Sequence, residues 1–235
     1  ISLGHYVDEP ALADALPNNG ILANDDPDIT NLINVFEHTA KEANVSYEIH
    51  HDFGLTSREV VRQSTFADLL VLSYRAFLND LTGEPDLSVL YQIIKGSKCP
   101  VLILPETTNA IDNLIFTYDN KETSVFAIRT FSNLFSDNTR DKVVSILSVV
   151  PNVDEEIKNE DLLMKLVKQH YSNVGIQMLE GDNISMEIST FAASVNNPLV
   201  VMGAYGRSRI SNMLLPSAAQ YLLKKSDVPL FIAHR

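Results

Sequence analysis

Apolar residues along this chain fall into two alternating patterns. Short continuous runs, five to seven residues long, recur at ISLGHYV (1–7), LLVLS (69–73), CPVLILP (99–105), NLIFTYD (113–119), VSILSVV (144–150), LVVMG (199–203) and VPLFIAH (228–234). Runs of that length, rich in Val, Leu and Ile, suit strands buried on both faces of a parallel sheet. Between them the apolar positions recur every three or four residues, as an amphipathic helix requires. Ile29, Leu32, Ile33, Phe36, Ala40 and Ala43 share one helical face, and Ile184, Ile188, Phe191, Ala192 and Val195 share another. Thr56 and Glu59 have capping-box spacing ahead of Val60 and Val61, and Asp28 is placed to cap the helix that carries Ile29. Strand–helix alternation of this kind predicts βαβ units: an α/β fold with helices on both faces of open parallel sheets.

The pattern also repeats. KGSKCPVLILP (95–105) resembles KKSDVPLFIAH (224–234), and pairing Pro100 with Pro229 gives an offset of 129. LLVLS and LVVMG align at 130, and Tyr47–Ile49 aligns with Ile176–Met178 at 129. ISLGHYV matches VSILSVV at 143, the difference falling in the polar, Asn- and Pro-containing stretch 8–27. Recurrence in one order at nearly one spacing predicts two tandem domains, 1–107 and 112–235, joined near ETTNAID (106–112). The second repeat opens with about 30 residues, 114–143, that have no counterpart in the first. The first repeat is therefore expected to lack an opening strand and helix, either because residues ahead of Ile1 carry them, the favoured reading, or because the first half is degenerate.

Composition narrows the function classes. The 235 residues carry a formal net charge of −12, which disfavours binding to a phosphate backbone, so no nucleic-acid partner is expected. No apolar run reaches the ~18 residues of a membrane span. Together with the lack of a signal-peptide pattern, this gives an expected cytoplasmic location without membrane attachment. One cysteine, Cys99, excludes an internal disulfide framework and any multi-thiolate metal site.

Candidate chemistry concentrates in PLVVMGAYGRSRISNMLLPSAAQYLL (198–223). A strand ends at Gly203, a loop with Gly206, Arg207 and Arg209 follows, and a helix is predicted from Pro216 and Ser217. Ligands of open α/β sheets bind at the carboxyl ends of strands, and a helix start offers N–H groups to an anion. Two glycines after a strand are more often turn formers, and Pro216 more often just the first residue of a helix, so on local chemistry alone the turn reading prevails.

The spacing Gly203, two residues, Gly206, nine residues, then residue 216 and Ser217 resembles the C-terminal signature of the universal stress protein family, as do GRSRIS, KKSDVPLFI and NLIFTYD. The resemblance spans nearly all of the second half; in the first it rests on the repeat, on ADLLVLS and on CPVLILP. It implies two tandem domains of the adenine nucleotide alpha hydrolase-like, Rossmann-like type, each with five parallel strands. It also implies a candidate nucleotide site in the second: Asp119 and the backbone near Val149 and Val150 at adenine, and Gly203, Gly206 and Ser217 at ribose and phosphates; Arg207 is a further candidate anion contact by its charge alone, with a solvated loop residue as the other reading. ATP with Mg is the implied ligand, which some members bind and others do not. Pro216 departs from the signature, which has glycine there. Proline fixes φ near −65° and has no N–H. Losing one N–H to a charged oxygen costs about 1.5–3 kcal/mol, which tilts the reading away from ATP.

The first repeat departs further. Ser73 stands where Gly203 does, Gly83 is out of register, Arg75 is its one candidate anion contact, and its counterpart of Asp119 would precede Ile1. His50–His51–Asp52 sits at a strand end, where adjacent side chains point to opposite faces, which disfavours a shared metal. The remaining histidines, His5, His38, His170 and His234, are scattered. Aspartates 25, 26 and 28 read as capping and solubility. Cys99, before a proline, reads as a buried thiol. No nucleophile elbow, P-loop or dinucleotide fingerprint occurs, so no catalytic residue and no metal ligand is assigned. Three readings follow: a non-catalytic ligand- or partner-binding module in bacterial stress response; an ATP-binding switch with one site in the second domain; and, disfavoured, a phosphoryl- or nucleotidyl-transfer enzyme. Strands 100–104 and 229–233 are expected to pair across the two domains as an intramolecular pseudo-dimer, with a further homodimer left open.

Overall fold

The computed structural model describes residues 2–4, 27–50, 57–74, 87–105, 107–152, 156–204 and 228–234. The elements are β1 (Ser2–Gly4), α1 (Pro27–Glu42), β2 (Glu48–His50), α2 (Ser57–Gln63), a 3-10 turn (Ser64–Phe66), β3 (Leu70–Ser73), α3 (Leu87–Gly96), β4 (Val101–Leu104), β5 (Asn113–Thr117), α4 (Glu122–Thr139), β6 (Val143–Val150), α5 (Glu160–Lys168), β7 (Asn173–Glu180), α6 (Ile184–Ser194), β8 (Pro198–Gly203) and β9 (Leu230–Ala233). They form a mixed, mostly parallel seven-stranded sheet and a separate two-stranded one. Contacts divide the chain into two compact units, 1–59 and 60–235.

In unit 1, β1 and β2 run parallel with Ser2 opposite Glu48. Helix α1 begins at Pro27, so Asp28 is its second residue and not the cap expected for it. Proline suits a first helical position, where its missing N–H has no partner to lose. Phe36 and Tyr47 meet edge to face at 5.6 Å.

Unit 2 holds the sheet β3–β4–β9–β8–β5–β6–β7. Every pairing is parallel except β4 with β9, where Val101, Leu102 and Ile103 lie opposite Ile232, Phe231 and Leu230. The expected pairing of the two final strands is therefore present. The antiparallel seam joins β3 and β4 to β9 and the strands beyond it.

The repeat is visible at the level of single hydrogen bonds. Leu70 lies opposite Val101, and Val200 opposite Leu230, which are the offsets of 130 and 129 read from the sequence. Leu70 N donates to Pro100 O at 2.9 Å, and Val200 N to Pro229 O at 3.0 Å.

Helix α4 buries Ser124, Ala127, Ile128, Phe131 and Ser132, spaced three and four apart along one face. Against that face Phe116 of β5 meets Phe131 at 5.8 Å, and Phe231 of β9 meets Phe131 at 5.1 Å, both edge to face. Tyr171 also meets Phe116 edge to face, at 5.4 Å. On α6, the Asn183 side chain caps the helix by accepting from Met186 N at 3.1 Å. Residues 198–202 of β8 are all buried, as a strand interior to a parallel sheet should be.

Candidate functional site

Within the sheet, the second repeat reads β9–β8–β5–β6–β7, so its first strand is central, with its second and third on one side and its fourth and fifth on the other. The chain leaves β5 toward β6 and later returns to β8. That reversal is the switch point at whose carboxyl end open α/β folds bind ligands. Thr117 Oγ1 ties the two diverging strands by donating to Val201 O at 3.1 Å.

The loop after β5 is fixed by several bonds. Tyr118 N donates to Leu147 O at 2.9 Å and its hydroxyl to Lys158 O at 2.7 Å. Asn120, in the left-handed region at φ 61°, accepts from Lys158 N at 2.8 Å. Residue 158 is thus gripped from both its N–H and its C=O. Burial pushes the Tyr118 phenol above its ordinary value; a hydrogen bond with Asn159 works the other way, and the Asp119 charge adds to the rise. The hydroxyl therefore stays a donor.

Asp119 sits between these anchors, 43% exposed at the side chain. Its Oδ1 accepts from Lys121 N at 3.3 Å, and its Oδ2 pairs with Lys121 Nζ at 2.9 Å. Lys121 is the N-cap residue of α4 and makes no side-chain cap bond. A lysine there opposes the helix dipole, and the aspartate beside it offsets that repulsion.

Val149 and Val150 close β6. Val150 is buried and its carbonyl accepts from Gly181 N at 3.0 Å, so its backbone faces β7. Leu147 O bonds Tyr118 N, on the β5 side. Parallel strands alternate the side to which successive residues bond, which turns the backbone of Val149 toward β5, past the last strand residue Thr117. Asp119 and the Val149 backbone thus face the same end of the switch point.

Gly203 ends β8 against the first turn of α4. A Cβ there would lie 2.5 Å from Thr123 O and 2.6 Å from Thr123 C. Its glycine is required by close helix–strand packing, whatever it does for a ligand. Gly206, Arg207, Pro216 and Ser217 lie outside the described residues, as do Arg75, Gly83, His51, Asp52, Thr56, Asp25 and Asp26.

Lys121 was not singled out by sequence reasoning. Its signal was the Asp-x-Lys spacing after β5, where an aspartate side chain can accept the N–H two residues on. Cys99 is buried, with Ser97 Oγ 3.7 Å from its sulfur. Burial raises its thiol pKa, and Ser97 pulls the other way. Among the described residues no group of three His, Cys, Asp or Glu side chains is placed to hold a metal, and no helix is long and apolar enough to cross a membrane.

With the switch point defined, sequence and fold comparisons point the same way. Residues 135–234 match the Universal stress protein family model. That match covers most of the second repeat, from within α4 to the end of β9. A universal stress protein from Archaeoglobus fulgidus DSM 4304 shares the fold, with TM-score 0.65 and 17% identity, over 88% of this chain and 76% of that one. A functionally unknown protein from Pseudomonas aeruginosa PAO1 does so with TM-score 0.56 and 13% identity, over 87% and 77%. No curated protein matches the chain in sequence. The chain thus has the Rossmann-like α/β fold of universal stress protein structures, and its residues 135–234 match that family's model.

Proposed function

We propose that this chain is a tandem universal stress protein, with repeats 1–107 and 112–235, that acts as a non-catalytic binding module in stress response. Its ligand site is the β5/β8 switch point of the second repeat, and the ligand class is an adenine nucleotide. The observation that carries this reading is the convergence of Asp119 and the Val149 backbone at that point. The amino edge of adenine offers donors to a carboxylate and matches the alternating N–H and C=O of a strand edge. Asp119 accepts from the base once Lys121 releases it. Val150 shapes the strand end from its buried position. Gly206, Arg207 and Ser217 would hold the ribose and phosphates of ATP with Mg, and Pro216 weakens that half. The first repeat contributes scaffold, since Ser73 replaces the glycine there.

The module acts by binding: Asp119, paired with Lys121 in the free protein, serves as a hydrogen-bond acceptor for the ligand. An adenine-binding switch and a scaffold for protein partners separate on nucleotide dependence. Thermal unfolding with millimolar Mg-ATP, with AMP as comparison, is the test. A ligand at about 100 times its Kd stabilises the native state by about 2.7 kcal/mol. The expected result is an upward midpoint shift that Asp119→Ala abolishes. An unchanged midpoint, or an equal shift in Asp119→Ala, overturns the nucleotide reading and leaves a protein partner as the object of search.

A further inference from the structure

Three consecutive residues after β5 divide two tasks between them. Asp119 presents its carboxylate at the switch point, while both of its neighbours turn to one residue of the segment that follows β6. Tyr118 donates its hydroxyl to Lys158 O at 2.7 Å, and Asn120 Oδ1 accepts from Lys158 N at 2.8 Å. Between them they engage both backbone polar groups of Lys158.

The gripped segment is itself seated. Ile157 is buried in the core cluster that also holds Tyr118 and Leu163. The Asn159 carbonyl accepts from Leu163 N at 2.9 Å as α5 begins. Tyr118 is 4% exposed, so core packing fixes its ring. Its backbone is fixed too, because Tyr118 N bonds Leu147 O of β6. Asn120 stands at φ 61°, in the left-handed region. A residue chosen for that conformation alone would be glycine. Asparagine tolerates it and adds an acceptor, which is used on Lys158. These bonds all run to β6 or to the segment after it, so the loop carrying Asp119 is held from one side of the switch point. Binding groups are precise when packing and hydrogen bonds lock the residues around them.

We propose that Tyr118 and Asn120 are positioning residues for Asp119, acting jointly through the backbone of Lys158. The inference deepens the nucleotide reading and rests on it. With the grip intact, Asp119 meets the base at one fixed place. With the grip broken, the carboxylate keeps its chemistry and loses its place.

The test is calorimetric titration with Mg-ATP of the wild-type chain, Tyr118→Phe, Asn120→Gly and the double variant. Phenylalanine keeps the buried ring and glycine keeps the left-handed backbone, so each substitution removes one bond to Lys158. Each single variant is expected to bind about three- to tenfold more weakly. The double variant should lose clearly less than the product of the two factors, because the second bond acts through a residue already released. Asn113→Ala removes a bond to Asn196 O at the opposite end of β5, and should leave affinity unchanged. Hydrogen exchange gives a readout without ligand. The Lys158 amide is expected to exchange on the order of tenfold faster in Asn120→Gly and to regain protection in Asn120→Asp, which keeps the acceptor. Wild-type affinity in both single variants overturns the proposal. So do losses that simply multiply, an equal loss in Asn113→Ala, or exchange at Lys158 that no variant alters. No binding by the wild-type chain overturns the nucleotide reading itself, and this inference falls with it.

Discussion

The carboxylate of Asp119 is met at both oxygens by one residue two positions on. Lys121 donates its backbone N–H to Oδ1 at 3.3 Å and its ammonium to Oδ2 at 2.9 Å. A ligand that needs this carboxylate competes with the side chain that already neutralises it. The pair is partly exposed, so its net contribution to stability lies at the low end of about 0–1 kcal/mol. Lys121→Met should leave the unfolding free energy nearly unchanged and tighten adenine-nucleotide binding by about two- to fivefold. Calorimetric titration of both proteins with Mg-ATP checks this. Weaker binding by the variant would show that Lys121 assists the ligand.

Gly203 has no room for a methyl group, and what fills the space is backbone of α4, which cannot rotate aside. Gly203→Ala is expected to cost about 1–3 kcal/mol as overpacking. Urea unfolding monitored by circular dichroism measures it. Loss of ligand binding without loss of stability would instead place the role of Gly203 in the site alone.

Phe231 stands where two structural roles coincide. Its ring packs on Phe131 at 5.1 Å, and its backbone lies opposite Leu102 across the antiparallel seam. Phe231→Ala should destabilise the chain by about 3–5 kcal/mol, the usual cost of emptying a buried aromatic site. Denaturant unfolding gives the value, and exchange at Leu102 shows whether the seam loosens with the core.

Much of this arrangement was legible before any coordinates. The offsets of 130 and 129 carry the paired residues Leu70 and Val101 onto the paired residues Val200 and Leu230, because apolar runs of fixed length keep their spacing when they fold into equivalent strands. The pairing of β4 with β9 followed from the family resemblance. At the site, the position of Asp119 followed from the resemblance. What holds it did not, since a lysine two residues on reads equally as a solvated helix start. Gly203 read as a turn or phosphate glycine, because the α4 backbone that excludes its side chain is about 80 residues earlier in the chain. His234 read as one of several scattered histidines, since its partner, the carbonyl of Ile94, is 140 positions away.

That histidine confers a pH dependence. His234 Nε2 lies 2.9 Å from Ile94 O. Burial lowers its pKa below 6.5; the bond to Ile94 acts in the opposite sense, and Lys98 adds to the lowering. As pH falls past 6.5 the unfolded chain takes up the proton first, so folding is opposed. The contribution of His234 is complete above 6.5 and is lost as pH drops from there through the folded value. His234→Gln, which keeps a donor without the titration, should flatten stability in that window. Urea midpoints between pH 7.5 and pH 5, on the order of one measurement per half unit, decide it.

The antiparallel contact of β4 with β9 has a consequence for mass action. Two separate chains joined along such strands would come apart on dilution, and their melting point would rise with protein concentration. Here one polypeptide supplies both strands, so dilution leaves the contact intact. Only unfolding parts it, and evolution can weaken either strand's packing without requiring more protein in the cell.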